Sequence, residues 1–228
     1  MKPENLKAIN QSFEIQADQF ESETLQFTKQ EYLDYTVESV IPCGEETMLE
    51  VGRREAESGG LKNMVFVRGY AEELPFLGES FDIVFSRLAF HHFTDTEKCF
   101  SEMARCLRTG GRLVMIDMEA AREDLRLSQD AIETLRDPSH VRNLSRSEML
   151  SLFSGRGLRV EKCEITKIRQ ELTSWMALTK TPETTRQDIH RKMEEDISGG
   201  EKTGFYPYVM DGKICFDQRW VLTIGIKL

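Results

Sequence analysis

Two adjacent histidines, His91 and His92, follow the apolar run Phe81-Asp-Ile-Val-Phe-Ser-Arg-Leu-Ala-Phe90. Imidazole titrates near neutral pH, so either ring can act as a general base at a binding site. A buried structural ring is the competing reading. His140 stands two residues before Arg142 in Arg136-Asp-Pro-Ser-His-Val-Arg142. That pair can line a substrate pocket or simply hold a loop together. Arg87 can hold a substrate carboxylate or an internal acid. His190 lies on a charged stretch and is expected to face solvent. Metal chemistry is not indicated, because neighbouring histidines alone lack ligand spacing. The five cysteines, Cys43, Cys99, Cys106, Cys163 and Cys215, contain no C-x-x-C pair.

The elements that must position these residues are short apolar runs. Met64-Val-Phe-Val67, Phe81-Asp-Ile-Val-Phe-Ser86 and Arg112-Leu-Val-Met-Ile-Asp-Met118 read as buried strands of a parallel sheet, which need not alternate in polarity. Ligands bind outside the carboxyl ends of such strands. Tyr70 to Glu72, Ser86 to His92 and Asp117 to Glu119 then converge on one site.

Composition narrows the partners. With 228 residues, 39% hydrophobic and 30% charged, the chain is long enough for one sizeable α/β domain. A net charge of −9 argues against nonspecific nucleic-acid binding, which needs a basic surface. No apolar run reaches membrane-spanning length, and Met1-Lys-Pro-Glu-Asn is not followed by a signal-peptide core. Scattered, odd-numbered cysteines suit free thiols in a reducing cytoplasm.

Taken in order, residues 1–27 form a polar lead with spaced Phe13, Phe20 and Phe27. Thr28 and Glu31 make a capping box for a helix with Leu33, Val37 and Val40 on one face. Residues 47–57 read either as a strand, 48–51, running into Gly52, or as a helix capped by Thr47 and Glu50. Arg53-Arg-Glu-Ala-Glu57 favours the helix. Thr94 with Glu97 caps the helix bearing Phe100, Met103, Ala104 and Leu107, and Thr109-Gly-Gly111 turns the chain into strand 112–118. Residues 120–135 read as a charged helix. Ser145 with Glu148 caps the next, residues 158–165 form a strand, and 171–178 and 182–197 are helical. Residues 215–216 and 220–226 close the domain as strands. Alternating strands and helices predict an α/β doubly wound domain.

Gly69-Tyr-Ala-Glu-Glu-Leu-Pro-Phe76, the run from Ser80 to Phe93, and Arg105-Cys-Leu-Arg-Thr-Gly-Gly-Arg-Leu-Val-Met-Ile-Asp117 together resemble the class I S-adenosylmethionine-dependent methyltransferases. The closest likeness is to the type-11, quinone-biosynthesis-like group, and it covers the chain from about Phe13 onward. The resemblance implies a Rossmann-like, mostly parallel sheet, S-adenosylmethionine as cofactor and a small-molecule acceptor. It places Tyr70, Ala71 and Glu72 at the adenine. Ser86, Arg87 and Leu88 lie along the cofactor. His91 and His92 stand at the acceptor side, and His140 and Arg142 near the substrate. Phe90, Phe93, Phe205, Tyr206 and Tyr208 then suit a ring-bearing acceptor, or core packing.

One departure from the family is large. Its glycine-rich loop, E/D-x-G-x-G-x-G, should follow the first strand, yet Glu50-Val-Gly52 continues as Arg-Arg-Glu. The acidic ribose anchor is also missing. A βαβ unit of about 30 residues is expected to be absent between Glu46 and Met48, unless residues 48–51 slide in as a substitute strand. The expected organisation is a single domain: arm and helix 1–46, core 47–119, helical cap 120–204 and closing strands 205–228. An inactive, methyltransferase-like binding module is the alternative function.

Overall fold

The computed structural model describes residues 46–60, 64–67 and 69–228. The phenylalanine-bearing lead and the helix expected after Thr28 lie outside them. Helix α1 spans Glu46–Ser58 and runs into Gly59 and Gly60, where φ is +71°. Its helical ladder passes through residues 48–52. The strand alternative and the substitute-strand idea are therefore both overturned, and Gly52 is a helical residue rather than a strand-to-loop turn.

Residues 64–67 are not a strand, contrary to expectation. A strand exists through a hydrogen-bonded neighbour, and no described strand lies beside this run. The loop that follows is tied to helix α2, Thr96–Cys106. Glu102 accepts from the Leu74 N–H at 2.9 Å, and Arg105 donates to the carbonyls of Phe76 and Leu74. The α2 cap falls at Asp95, not Thr94, because the Asp95 carboxylate accepts from the Lys98 N–H.

Strands β1 (Phe81–Arg87), β2 (Leu107–Met118), β3 (Leu158–Glu171), β4 (Tyr208–Met210) and β5 (Lys213–Lys227) form one sheet. The order is β1-β2-β5-β3, with β4 also on β5. The expected mostly parallel pairing needs correction. Among the described residues only β1–β2 is parallel, whereas β2–β5, β3–β5 and β4–β5 are antiparallel. The cause is one strand. β4 turns through Asp211 and Gly212, both at positive φ, and this tight hairpin forces β5 to run back. β5 then inserts between β2 and β3. The other four strands all share one direction, so their carboxyl ends still gather at one edge.

Strand β2 starts earlier than expected. Phe81 pairs with Leu107 but Ile83 pairs with Arg112, so Gly110 and Gly111 sit in an irregularity of the ladder. A Cβ on Gly111 would meet the Asp82 carbonyl at 2.8 Å. Helix α3, Arg126–Arg136, begins later than the charged run that predicts it. The N–H groups of Ala120 and Ala121 are taken by the Leu144 carbonyl and Gln129 Oε1, which holds that stretch out of a helix. Helix α4, Arg146–Ser154, carries the full capping box of Ser145 and Glu148. Glu171 caps α5, Leu172–Leu178, and Pro182 precedes α6, Glu183–Ile197.

Two of the apolar clusters among the described residues frame the site. The first joins α2 and α4 to one face of the sheet through Phe100, Phe153, Leu113, Met115 and Val221. The second lies beyond the carboxyl edge and joins α3, α5, α6 and β5 through Ile132, Trp175, Met193, Phe205 and Phe216. Among the described residues no helix is long and apolar enough to cross a membrane.

Packing of the first core depends on the missing side chain of Gly225. A Cβ there would lie 2.5 Å from Phe153 Cδ1 and 3.3 Å from Leu158 Cβ. Phe153 is fully buried and has nowhere to retreat. Gly225→Ala is expected to lower stability by about 1–3 kcal/mol through overpacking. Urea unfolding monitored by circular dichroism checks this.

Candidate functional site

The ends of β1 and β2 lie side by side, with Arg87 beside Ile116 in the ladder. Leu88, just past β1, takes φ +51°, a left-handed conformation that costs a residue carrying a Cβ. Its N–H donates to the Ile116 carbonyl at 2.8 Å. The chain then turns across the end of β2, and Phe90–His92 forms a short 3₁₀ turn.

That turn is organised by Asp117, which is 1% exposed. Its Oδ2 accepts the N–H groups of Ala89 (3.1 Å) and Phe90 (2.7 Å). Its Oδ1 accepts Nδ1–H of His91 (2.6 Å) and the Met118 N–H (2.8 Å). A carboxylate accepts only, so the proton in the first of these bonds belongs to His91 Nδ1. Burial opposes charge on Asp117, but the His91 charge, its hydrogen bond and the backbone donors hold the carboxyl below its ordinary range. Burial likewise opposes charge on His91, but Asp117 outweighs it and raises the ring above its ordinary value, helped by Glu133 and Asp137.

His92 takes the opposite state. Its ring lies 4.1 Å from that of His91, between centroids. Nδ1–H donates to the Ser139 carbonyl at 3.1 Å, with Ser139 Oγ at 3.0 Å. The Ser139 hydroxyl itself donates to Asp137 Oδ1 at 2.6 Å. Burial, with the neighbouring His91 charge, pushes the His92 ring down to about 3. His140 stacks on His91 at 5.7 Å and donates from Nε2 to Asp130 Oδ1 at 2.9 Å. The His91 carbonyl accepts from the N–H groups of Val141 and Arg142. Residues 137–143 are thus seated on the histidine turn.

The structure therefore brings His91, His92 and His140 into one column. Arg142 joins only through its backbone, since its guanidinium turns away to Glu148 at 2.8 Å. Arg87 lies over the Trp220 ring, 5.2 Å from its centroid, and burial lowers its pKa. Ser86 is buried at the end of β1. Tyr70, Ala71 and Glu72 form a separate turn, and no hydrogen bond among the described residues joins it to the histidines. Tyr70 is exposed, Ala71 buried, and Glu72 Oε1 is buried with no partner among the described residues. His190 faces solvent beside Glu194, as its charged stretch predicts.

Asp130, Asp137 and Ser139 escape the residue-by-residue reading, and Asp117 is placed at the site by its strand end but without a role. An acid ending an apolar strand is the signal for Asp117, and Asp-Pro-Ser-His is the signal for the loop. Several aromatics prove to be core. Phe90 is 1% exposed, and Phe205 packs edge-to-face on Phe216 and Trp175. Tyr208 donates to Asp217 at 2.9 Å. A hollow lined by Glu171, His190, Glu194 and Lys213 lies by the β4–β5 hairpin and away from this column.

A family model described as a methyltransferase domain matches residues 26–115. An uncharacterized Escherichia coli protein, YafE, is 40% identical over 159 residues, covering 69% of this chain and 76% of that protein. The chain belongs to the class I S-adenosylmethionine-dependent methyltransferases. The uncharacterized methyltransferase YcgJ of Bacillus subtilis is 34% identical over 79% of this chain and 72% of its own length. The crystal structure of YcgJ superposes with a TM-score of 0.71, covering 80% of this chain and 79% of that one at 31% identity. A putative methyltransferase from Bacillus halodurans gives a TM-score of 0.72 at 27% identity over 80% of each chain.

The two paired rings respond oppositely to pH. An unfolded histidine binds its proton near 6.5, whereas folded His92 does so only at about 3. Acidification through that window therefore favours the unfolded chain, at a slope of up to about 1.4 kcal/mol per pH unit. His91, being raised, adds stability below the unfolded value and loses it as pH rises through its own. Urea midpoints measured across a pH series are expected to fall toward acid. His92→Asn is expected to flatten that fall, and His91→Gln to steepen it.

Proposed function

We propose that this methyltransferase transfers a methyl group to a small-molecule acceptor held over the carboxyl ends of β1 and β2. The observation that supports this reading is the convergence there of Ser86, the strained Leu88 and the column of His91, His92 and His140. S-adenosylmethionine supplies an electrophilic methyl group when bound. In this reading Tyr70, Ala71 and Glu72 flank the adenine, with Ser86, Arg87 and Leu88 along the cofactor. The buried, unpartnered Oε1 of Glu72 is an acceptor suited to an amino donor, and exposed Tyr70 offers a ring face. His91 handles a proton on the acceptor, while His140 and Arg142 bound the substrate side. Residues 120–204 serve as the cap over a 47–119 core, with 1–46 as an arm and 205–228 as closing strands. The free thiols Cys99, Cys106, Cys163 and Cys215 suit a cytoplasmic setting.

The methionine side fits less well. Close backbone approach there needs glycines, and Glu50-Val-Gly52 is helical and continues into Arg53. This one observation favours a second reading. A strand–helix–strand unit of about 30 residues is missing, and the protein is an inactive relative that binds acceptor-like ligands or a partner.

Calorimetric titration with S-adenosylmethionine and its demethylated product separates the two. Micromolar binding is expected for the methyltransferase. No heat at millimolar ligand would leave only the second reading. Inserting a glycine-rich strand–loop–helix unit before Met48 and regaining binding would identify its loss as the cause.

A further inference from the structure

The Asp117–His91 pair carries more than a fold contact. We propose that Asp117 is a positioning residue that makes Nε2 of His91 the proton-exchanging atom of this site. The use of that proton rests on the methyl-transfer reading above, whereas the geometry does not.

Four donors hold the Asp117 carboxylate, so it cannot swing away from the ring. Neutral histidine in water favours the proton on Nε2, and the bond to Asp117 reverses that choice by fixing it on Nδ1. Nε2 is left with its lone pair, and no hydrogen bond among the described residues engages it. The His91 side chain keeps 10% of its surface open. His92 and His140 are poorer candidates. His92 is pinned at Nδ1 to Ser139, and His140 gives its Nε2 proton to Asp130.

The transfer balances within the pair. The acceptor atom keeps the electrons of its bond to hydrogen, and the proton moves to Nε2. The ring becomes an imidazolium, and Asp117 stays a carboxylate beside it throughout. The groups facing His91 are Asp117 from β2, Glu133 from α3, Asp137 and His140 from the loop after α3, and His92 from its own turn. The three acids favour the imidazolium, and desolvation opposes it.

The test uses the full chain labelled with ¹⁵N-histidine, which carries four histidines. Long-range ¹H–¹⁵N spectra over a pH series read each ring's tautomer and midpoint, assigned with His91→Gln, His92→Asn and His140→Gln. The neutral form of His91 is expected to carry its proton on Nδ1 and to titrate above 6.5. In Asp117→Asn the Nε2–H form should dominate and the midpoint should fall by about one unit or more. Diethyl pyrocarbonate, followed by peptide mass spectrometry, reads whether Nε2 is reachable, which a purely structural pair would not require. His91 should be modified, faster as pH rises through its midpoint, while His92 and His140 stay intact. An Nε2–H tautomer in the unaltered chain, or no modification of His91 before unfolding, overturns the proposal. Both readouts come first from the unaltered chain, so misfolding of Asp117→Asn does not silence the test. They also need no cofactor. Calorimetry without heat alongside the expected spectra would sink the methyl-transfer reading and keep the proton site, and the converse pattern would do the reverse.

Discussion

A single buried carboxylate sets the geometry of the carboxyl edge. Removing a charge from water costs several kcal/mol unless donors replace the solvent. Asp117 meets that condition with three backbone N–H groups and one imidazole. Each donor must be delivered to one point, which dictates the local path of the chain. Leu88 takes its left-handed turn to aim the following amides at Asp117. His91 then has one ring nitrogen committed, and its carbonyl becomes the seat for Val141 and Arg142.

The segment beyond the edge is held by a similar logic. Arg136 is buried, yet its Nε donates to the Trp175 carbonyl at 3.0 Å and its guanidinium lies 4.4 Å from that ring's centroid. Asp196 accepts from the Thr203 N–H and hydroxyl and from Lys202, which ties the end of α6 to the chain before Phe205. Between these polar anchors, Trp175, Phe205 and Phe216 meet edge-to-face, the arrangement aromatic quadrupoles prefer. These rings are a core, and their bulk positions the loop that carries His140.

Much of this was legible in the sequence. Capping box Ser145–Glu148, the stripe of α2 and the strand ending at Met118 follow from local chemistry that tertiary contacts leave intact. The histidine pair was readable as a site because it follows a strand. What was not legible depends on partners far along the chain. Residues 64–67 have strand composition but no neighbouring strand among the described residues. Residues 120–125 have helical composition, but their amides are claimed by Leu144 and Gln129. The direction of β5 follows from a hairpin at Asp211 and Gly212, which composition does not announce as a sheet reversal. Asp117 was placed at the converging strand ends, but its role was not legible, because three of its four donors come from a turn 26–28 residues away whose shape it creates.

The place of β5 has a consequence for how the molecule is made. Strands β1, β2 and β3 leave the ribosome well before it, and yet β2 and β3 never touch each other in the ladder. Until residues 213–227 emerge, β2 lacks its β5 neighbour on its inner side and β3 has no strand partner among the described residues. The sheet therefore closes in one late step that joins distant parts of the chain. Such long-range closure is slow, and the waiting edges are open to pairing with other chains. The β1–β2 pair and the separate strand β3 become one sheet only when β5 slides between them.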